Sequence, residues 1–280
     1  MEEIRIATVC MNSPPGKIGK NLDRIEFFVR EASKKGVDFI CFPEASITGY
    51  LLRNPEDIYS ETLSENTIEK IAEIAVANGL VVIAGIIEIT DKKKPFISQI
   101  VAGPDGLLGI YRKTHLSPQE KKVYSAGNNI KTFCSKDIIF GIQLCYEAHF
   151  PEISTVMALK GAEIIFIPHA SPRGSPEKKI KSWLRHLPSR AFDNGLFIVA
   201  CNQVGETREG FSFPGVAVTL DPSGLVIAQY RGNREKMVLV DIKIDDLRKI
   251  RKHRMKYFLP NRRPELYMAL VEKRSPFPCL

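Results

Sequence analysis

Short, dense apolar runs alternate with amphipathic stretches along most of the chain, and this alternation predicts the elements. Residues 4–10 have a strand pattern, and residues 20–35 place Leu22, Ile25, Phe28 and Val29 on one helical face. A second buried strand over 37–42 is stopped by Pro43. Residues 64–78 read as a helix, with Ser64 and Thr67 at its start and Gly79 just past its end. Residues 80–89 form another strand, and the strands 97–102 and 107–111 are joined by Gly103-Pro104-Asp105-Gly106, all turn formers. The second half follows the same logic: a strand over 138–145, a helix over 151–160 with Pro151 in its first turn, and a strand over 163–168. A helix over 177–193 should be kinked or interrupted by Pro188, and a strand over 196–201 follows. Residues 216–220 and 225–229 flank the turn Asp221-Pro222-Ser223-Gly224, 237–242 closes the sheet region, and 245–252 is a short helix. Helices separating buried strands, with hairpins between them and no low-complexity linker, predict one layered α/β domain on a mixed sheet. The two halves are similar in element order but carry no sequence repeat.

Composition narrows the class. With 44% hydrophobic and 26% charged residues, the 280-residue chain can bury a large core. Its longest apolar run, 80–87, is far too short to span a bilayer, and the start MEEIRIATVC has acidic residues where a secretory signal carries positive charge. The expectation is a cytoplasmic protein without a membrane partner. Cysteines at 10, 41, 134, 145, 201 and 279 form no CxxC, and no Cys/His set has zinc-ligand spacing, so reduced thiols and no metal are expected. The formal charge of +8 is most visible over 247–256 and 261–263, where no aromatic residues interleave with the basic ones as a nucleic-acid site would require. These runs read as solvated faces.

Chemistry concentrates at strand exits, where α/β sheets collect functional groups. Glu44 follows one buried strand, Lys113 ends another, and Cys145 ends a third just before a helix. A carboxylate, an ammonium and a thiol are a coherent set for acyl transfer. The thiol needs a base or a neighbouring cation to ionise, the carboxylate can take its proton, and the ammonium can stabilise both thiolate and oxyanion. The strand-to-helix turn at Cys145-Tyr146 can also aim a backbone N–H at that oxyanion. Cys10, Cys41, Cys134 and Cys201 lie in extended apolar stretches and read as structural, and Cys279 as an exposed bystander.

At these segments the chain resembles the nitrilase superfamily of carbon–nitrogen hydrolases. FPEASITGY matches its glutamate block, YRKTHL its lysine block and GIQLCYEAHFPE its cysteine block, in the family's order. The resemblance implies a four-layer αββα sandwich and a Glu–Lys–Cys triad. Glu44 would be general base and later acid, Lys113 the oxyanion-stabilising cation, and Cys145 the nucleophile. Glu120, in QEKKVYSAG, matches a second family glutamate that orients substrate and lysine, and the Tyr146 N–H would complete the oxyanion hole. The implied reaction needs no cofactor.

His149 is expected to line or border the pocket rather than form a papain-like dyad, since nothing else matches that family. His115 and His169 follow strands near the site and can contact substrate or serve packing. Arg173, in a loop beyond a strand end, can meet an anionic or carbamoyl substrate. Within the superfamily, the absence of spanning helices and of a synthetase domain removes the membrane acyltransferase and glutamine-dependent synthetase branches. FPEISTVMALKGAEIIFIP is most similar to the amidase and carbamoylase branches, so the expected reaction is hydrolysis of a small linear amide, followed by N-carbamoyl compounds and then nitriles. A catalytically silent binding protein on the same fold is the rival from another class; retention of Glu44, Lys113, Glu120 and Cys145 argues against it. The expected hydrolase domain is 1–258. The apolar, proline-marked tail over 259–280 is expected to pack on a partner subunit in a homodimer or higher homo-oligomer.

Overall fold

A strand that is apolar on both faces must be covered on both. The structure, a computed structural model, describes residues 3–52, 64–90, 94–207 and 210–272. Strands β1 (Glu3–Cys10), β2 (Phe39–Cys41), β3 (Val81–Glu88), β4 (Phe96–Gly103) and β5 (Gly106–Arg112) join the late strand β14 (Lys236–Lys243) in a six-stranded sheet of order β14-β1-β2-β3-β4-β5. A second six-stranded sheet has the order β13-β12-β9-β8-β7-β6, built from β6 (Thr132–Ser135), β7 (Ile138–Ile142), β8 (Ile164–His169), β9 (Phe197–Asn202), β12 (Gly215–Leu220) and β13 (Val226–Gly232). A small ribbon pairs β10 (Gly205–Glu206) with β11 (Ser212–Phe213). In each sheet three strands run parallel, β1-β2-β3 and β7-β8-β9, with antiparallel strands outside them.

The period of two along each strand divides the core. Ile4, Ile6 and Cys10 pack between the sheets, while Ala7 and Val9 pack under helices; Phe39 and Cys41 face inward, Ile40 and Phe42 outward. Phe39 meets Phe140 edge-on at 5.4 Å and Phe166 stacked at 6.0 Å, locking one sheet to the other. Helices Ile18–Ser33 and Ser64–Asn78 cover the first sheet with Ile25, Val29, Ile71 and Ile74. Helices Pro151–Leu159, Pro176–Trp183 and Leu187–Asn194 cover the second with Met157, Ile180 and Leu187. The result is the helix–sheet–sheet–helix sandwich that the resemblance implied.

One element departs from the sequence pattern, and one follows the expected proline interruption. The strand expected over 138–145 ends at Ile142, and Cys145–His149 forms a 3₁₀ turn. The cause is local: the Leu144 N–H, which would continue a ladder, donates to the Glu147 Oε2 at 2.6 Å. The helix over 177–193 is two helices, broken at Leu184–His186. Pro188 has no N–H, and in a continuous helix its ring would strike the Leu184 carbonyl; the chain restarts with Pro188 in the first turn of the new helix. The described part of the tail leaves Leu266, Met268, Leu270 and Val271 more than half exposed, so one chain by itself does not cover them. Cys279 lies outside the described residues. Among the described residues no helix is long and apolar enough to cross a membrane.

Candidate active site

Glu44 lies three residues past β2, on a loop that runs alongside β3 as an irregular extra strand. Ile47 N–H donates to the Gly85 carbonyl (2.8 Å), Gly85 N–H to Ser46 Oγ (2.9 Å) and Ile87 N–H to Thr48 Oγ1 (3.0 Å). This approach requires glycine at 85. A Cβ there would fall inside contact distance of the Ala45 nitrogen and 2.8 Å from the Pro43 carbonyl oxygen. A glycine in the otherwise unbroken apolar run VVIAGIIE was the sequence signal for it. Gly85→Ala is expected to push the Glu44 loop off β3 and destabilise the protein by about 1–3 kcal/mol, the usual cost of overpacking, read as a lower urea midpoint, and to cut turnover with it.

Lys113 follows β5 directly. Its N–H donates to the Ile97 carbonyl (2.9 Å) and its carbonyl accepts from Gly127 N–H (2.7 Å), so both backbone groups are held. Glu120 opens a short helix, Glu120–Val123, and exchanges two hydrogen bonds with Ser117 three residues earlier. Ser117 N–H donates to Glu120 Oε2 (2.7 Å), and Glu120 N–H to Ser117 Oγ (3.4 Å).

The buried Lys113 ammonium bridges two buried carboxylates, donating to Glu44 Oε1 and Glu120 Oε1, each at 2.7 Å. Ala170 N–H holds Glu44 Oε2 (2.9 Å), and the Tyr50 hydroxyl donates to Glu120 Oε1 (3.0 Å). Burial pushes Glu44 above the ordinary carboxylate range despite Lys113, and the Glu120 charge adds to the effect. Glu120 is also penalised by burial, but Lys113 and the Ser117 and Tyr50 donors hold it below its ordinary value. Burial would deprotonate Lys113, yet Glu44 and Glu120 together keep it charged. Two carboxylates on one ammonium are thus pushed apart: Glu44 becomes the stronger base and Glu120 the fixed anion.

Cys145 completes the cluster. Its backbone is left-handed, φ 45°, a conformation that costs a non-glycine residue about 1–2 kcal/mol and that carries the chain from strand into turn. Burial and then Glu44 push the thiol well above its ordinary value, against a downward pull from Lys113, so the resting sulfur is protonated. Glu147, which the sequence reading did not single out, holds this turn against the lysine loop. Its buried carboxylate accepts from Leu144 N–H (2.6 Å), Thr114 N–H (2.8 Å), Thr114 Oγ1 (2.5 Å) and Tyr111 OH (2.9 Å). The residues flanking the ammonium and those flanking the thiol therefore share one anchor.

The remaining candidates are distributed differently. Half-buried Tyr146 packs its ring on Phe150 (5.5 Å), and exposed His149 meets His186 at a tilt (4.7 Å). His115 packs at a tilt on Phe150 (4.4 Å), its Nδ1 2.8 Å from Thr114 Oγ1. His169 is buried against Trp183 (4.1 Å); its Nδ1–H donates to the Ile167 carbonyl (2.8 Å), and burial holds the ring neutral. Arg173 is exposed on its loop, with its N–H on the Ser212 carbonyl (2.8 Å). Cys10, Cys41 and Cys201 are buried, while Cys134, expected to be structural, is exposed because β6 is an edge strand.

Comparison with known proteins gives the family and the fold. The model of the carbon-nitrogen hydrolase family matches residues 5–252. A nitrilase of Pyrococcus abyssi (strain GE5 / Orsay) is 28% identical over 94% of this chain and 99% of that protein. The omega-amidase NIT2 of Mus musculus is 28% identical over 91% of this chain and 93% of its own. Among solved structures, a variant of an amidase from Nesterenkonia sp. AN1 superposes with a TM-score of 0.81 at 22% identity, covering 95% of this chain and 99% of that one; it shows acrylamide added at its active site cysteine.

Proposed function

The chain belongs to the carbon-nitrogen hydrolase family and is an amide-hydrolysing enzyme; on that premise we propose that it hydrolyses a small linear amide through a thioester on Cys145, releasing ammonia. The observation that carries this reading is the convergence of Glu44, Lys113 and Cys145, from three separate strand exits, into one electrostatically coupled cluster. Glu44, its carboxylate held on Lys113 Nζ at 2.7 Å, takes the proton of Cys145 as the sulfur attacks the amide carbon. The oxyanion is held by Lys113 Nζ, which has a third N–H beyond the two given to carboxylates, and by the Tyr146 N–H at the start of the 3₁₀ turn. Collapse breaks the C–N bond, and ammonia departs with the proton from Glu44. Glu44 then takes a proton from water as it attacks the thioester, and the acid product leaves with the thiol restored. Glu120 does not exchange protons; it keeps Lys113 charged and aimed.

The test is ammonia release from a panel of small amides, N-carbamoyl compounds and nitriles, with intact-mass detection of an acyl adduct on Cys145. The amidase names among the relatives support placing amides first; higher turnover of the nitriles or the N-carbamoyl compounds would replace that choice.

The shift at Glu44 sets the acid limb of the pH profile. The base acts only when deprotonated, so activity is lost as pH falls through its pKa. Since burial raises that pKa, the limb of kcat/KM is expected above the roughly 4.3 of a free glutamate. A limb at or below that value would exclude Glu44 as the base.

A further inference from the structure

Among the described residues, every hydrogen bond between the nucleophile's turn (144–149) and the lysine segment (111–115) ends on one carboxylate. Glu147 Oε1 accepts from Thr114 N–H (2.8 Å), Thr114 Oγ1 (2.5 Å), His115 N–H (3.4 Å) and Tyr111 OH (2.9 Å). Its Oε2 accepts from Leu144 N–H at 2.6 Å. Thr114 is the residue after Lys113, and Leu144 is the residue before Cys145. One side chain therefore joins the backbones of two reacting residues that leave different sheets. The other restraints on the turn lead away from the lysine. Gln143 Nε2 donates to the Glu147 carbonyl (3.2 Å), and Gln143 Oε1 accepts from Ser154 Oγ (2.8 Å). Arg190 Nε donates to the Ala148 carbonyl (3.2 Å). Ser154 and Arg190 belong to helices that cover the second sheet.

The chemistry of these partners is one-sided. All of them donate, and the three backbone N–H groups cannot turn to accept. Leu144 N–H faces Oε2, while Thr114 and His115 N–H face Oε1. A carboxylate presents an acceptor at each end and satisfies both sides. Glutamine has the same shape but one acceptor, so in either orientation its NH₂ group meets a backbone N–H. Glu147 is buried and makes no ion pair among the described residues, so donors rather than a cation hold its charge. The tie also reaches Cys145 itself, whose left-handed backbone (φ 45°) persists only where its surroundings fix it.

We propose that Glu147 is a positioning residue of the reaction: its two carboxylate oxygens set the reach between the Cys145 sulfur and the Lys113 ammonium, which requires an acceptor at both ends. This rests on the reaction proposed above only for which atoms react. It makes no contact with substrate and exchanges no proton.

Turnover is measured on whichever panel member wild type hydrolyses fastest. Glu147→Gln should lower kcat by roughly a hundredfold, the scale of about a 1 Å misplacement of reacting groups, and leave KM near its wild-type value. Glu147→Asp is smaller but keeps both acceptor ends, so it should recover much of that loss. A side chain needed only to fill space would give the opposite order. Thr114→Val keeps its shape and drops the hydroxyl donor; it should lower kcat at unchanged KM, and it decides the matter if Glu147→Gln does not fold. Alkylation of Cys145 by iodoacetamide reads the sulfur without turnover, as the mass increment absent from Cys145→Ala. Lys113 favours the reactive thiolate, so Glu147→Gln should slow alkylation and Glu147→Asp restore it. If wild type releases ammonia from no panel member, the amide reading fails and the order of alkylation rates decides the role of Glu147. Glu147→Gln as active as wild type, Glu147→Asp no better than Glu147→Gln, an unchanged Thr114→Val, or a loss confined to KM overturns it.

Discussion

Cys145→Ala is expected to reduce ammonia release by at least roughly 10⁴-fold, the scale on which losing a covalent nucleophile leaves only binding and oxyanion stabilisation. Nothing nearby can replace it. Among the described thiols, Cys10, Cys41 and Cys201 are sealed in the core and Cys134 lies on an edge strand. The same variant should fold normally, because alanine keeps the Cβ and pays the same left-handed cost at φ 45°. Three measurements check this: ammonia release, the thermal midpoint, and intact mass after incubation with substrate. Wild type should show an acyl adduct and the variant none. Full turnover by Cys145→Ala would remove the thioester from the mechanism.

Lys113→Met is expected to cost both activity and stability. Losing the donor to the oxyanion should lower kcat by roughly 10²–10³-fold. The structural cost is separate: the ammonium is fully buried between two buried carboxylates, and removing one partner of such a pair costs about 3–5 kcal/mol. Burial is the largest influence on both Glu44 and Glu120, so without Lys113 both would be raised. A folded-state pKa above the unfolded value means that the folded protein binds more protons. The penalty is therefore expected to shrink as pH falls toward and below the unfolded carboxylate value, and to be largest above the raised folded one. Urea unfolding at two pH values reads this directly. Adding Glu44→Gln to Lys113→Met should recover part of the stability and none of the activity, because one unpaired charge is gone and so is the base. A Lys113→Met protein as stable as wild type at neutral pH would mean that the carboxylates are solvated rather than bridged.

Much of this site is legible in the chain alone. Glu44, Lys113 and Cys145 each stand just after an apolar run, and only a small set of chemistries uses a carboxylate, an ammonium and a thiol together. The resemblance to nitrilases supplied Glu120. Glu147 could not be found this way. Two of its partners, Tyr111 and Thr114, are 36 and 33 residues away in sequence, and no local pattern marks a buried carboxylate that bonds across such a gap. Of the two breaks in otherwise regular elements, one has a side-chain cause and one a backbone cause. The 138–145 strand is cut short by Glu147 taking a ladder N–H, whereas the break near Pro188 follows from the missing proline donor and was expected, its position aside.

The sequence by itself determined the alternation of buried strands and amphipathic helices and the presence of a carboxylate, an ammonium and a thiol at three strand exits, because periodicity, proline and side-chain chemistry are local properties. Tertiary structure alone decided that one ammonium bridges two carboxylates, that burial and charge shift those carboxylates in opposite directions, and that a glycine on β3 admits the Glu44 loop. Those depend on distances and desolvation between segments far apart in the chain, which exist only once the two sheets have closed on each other.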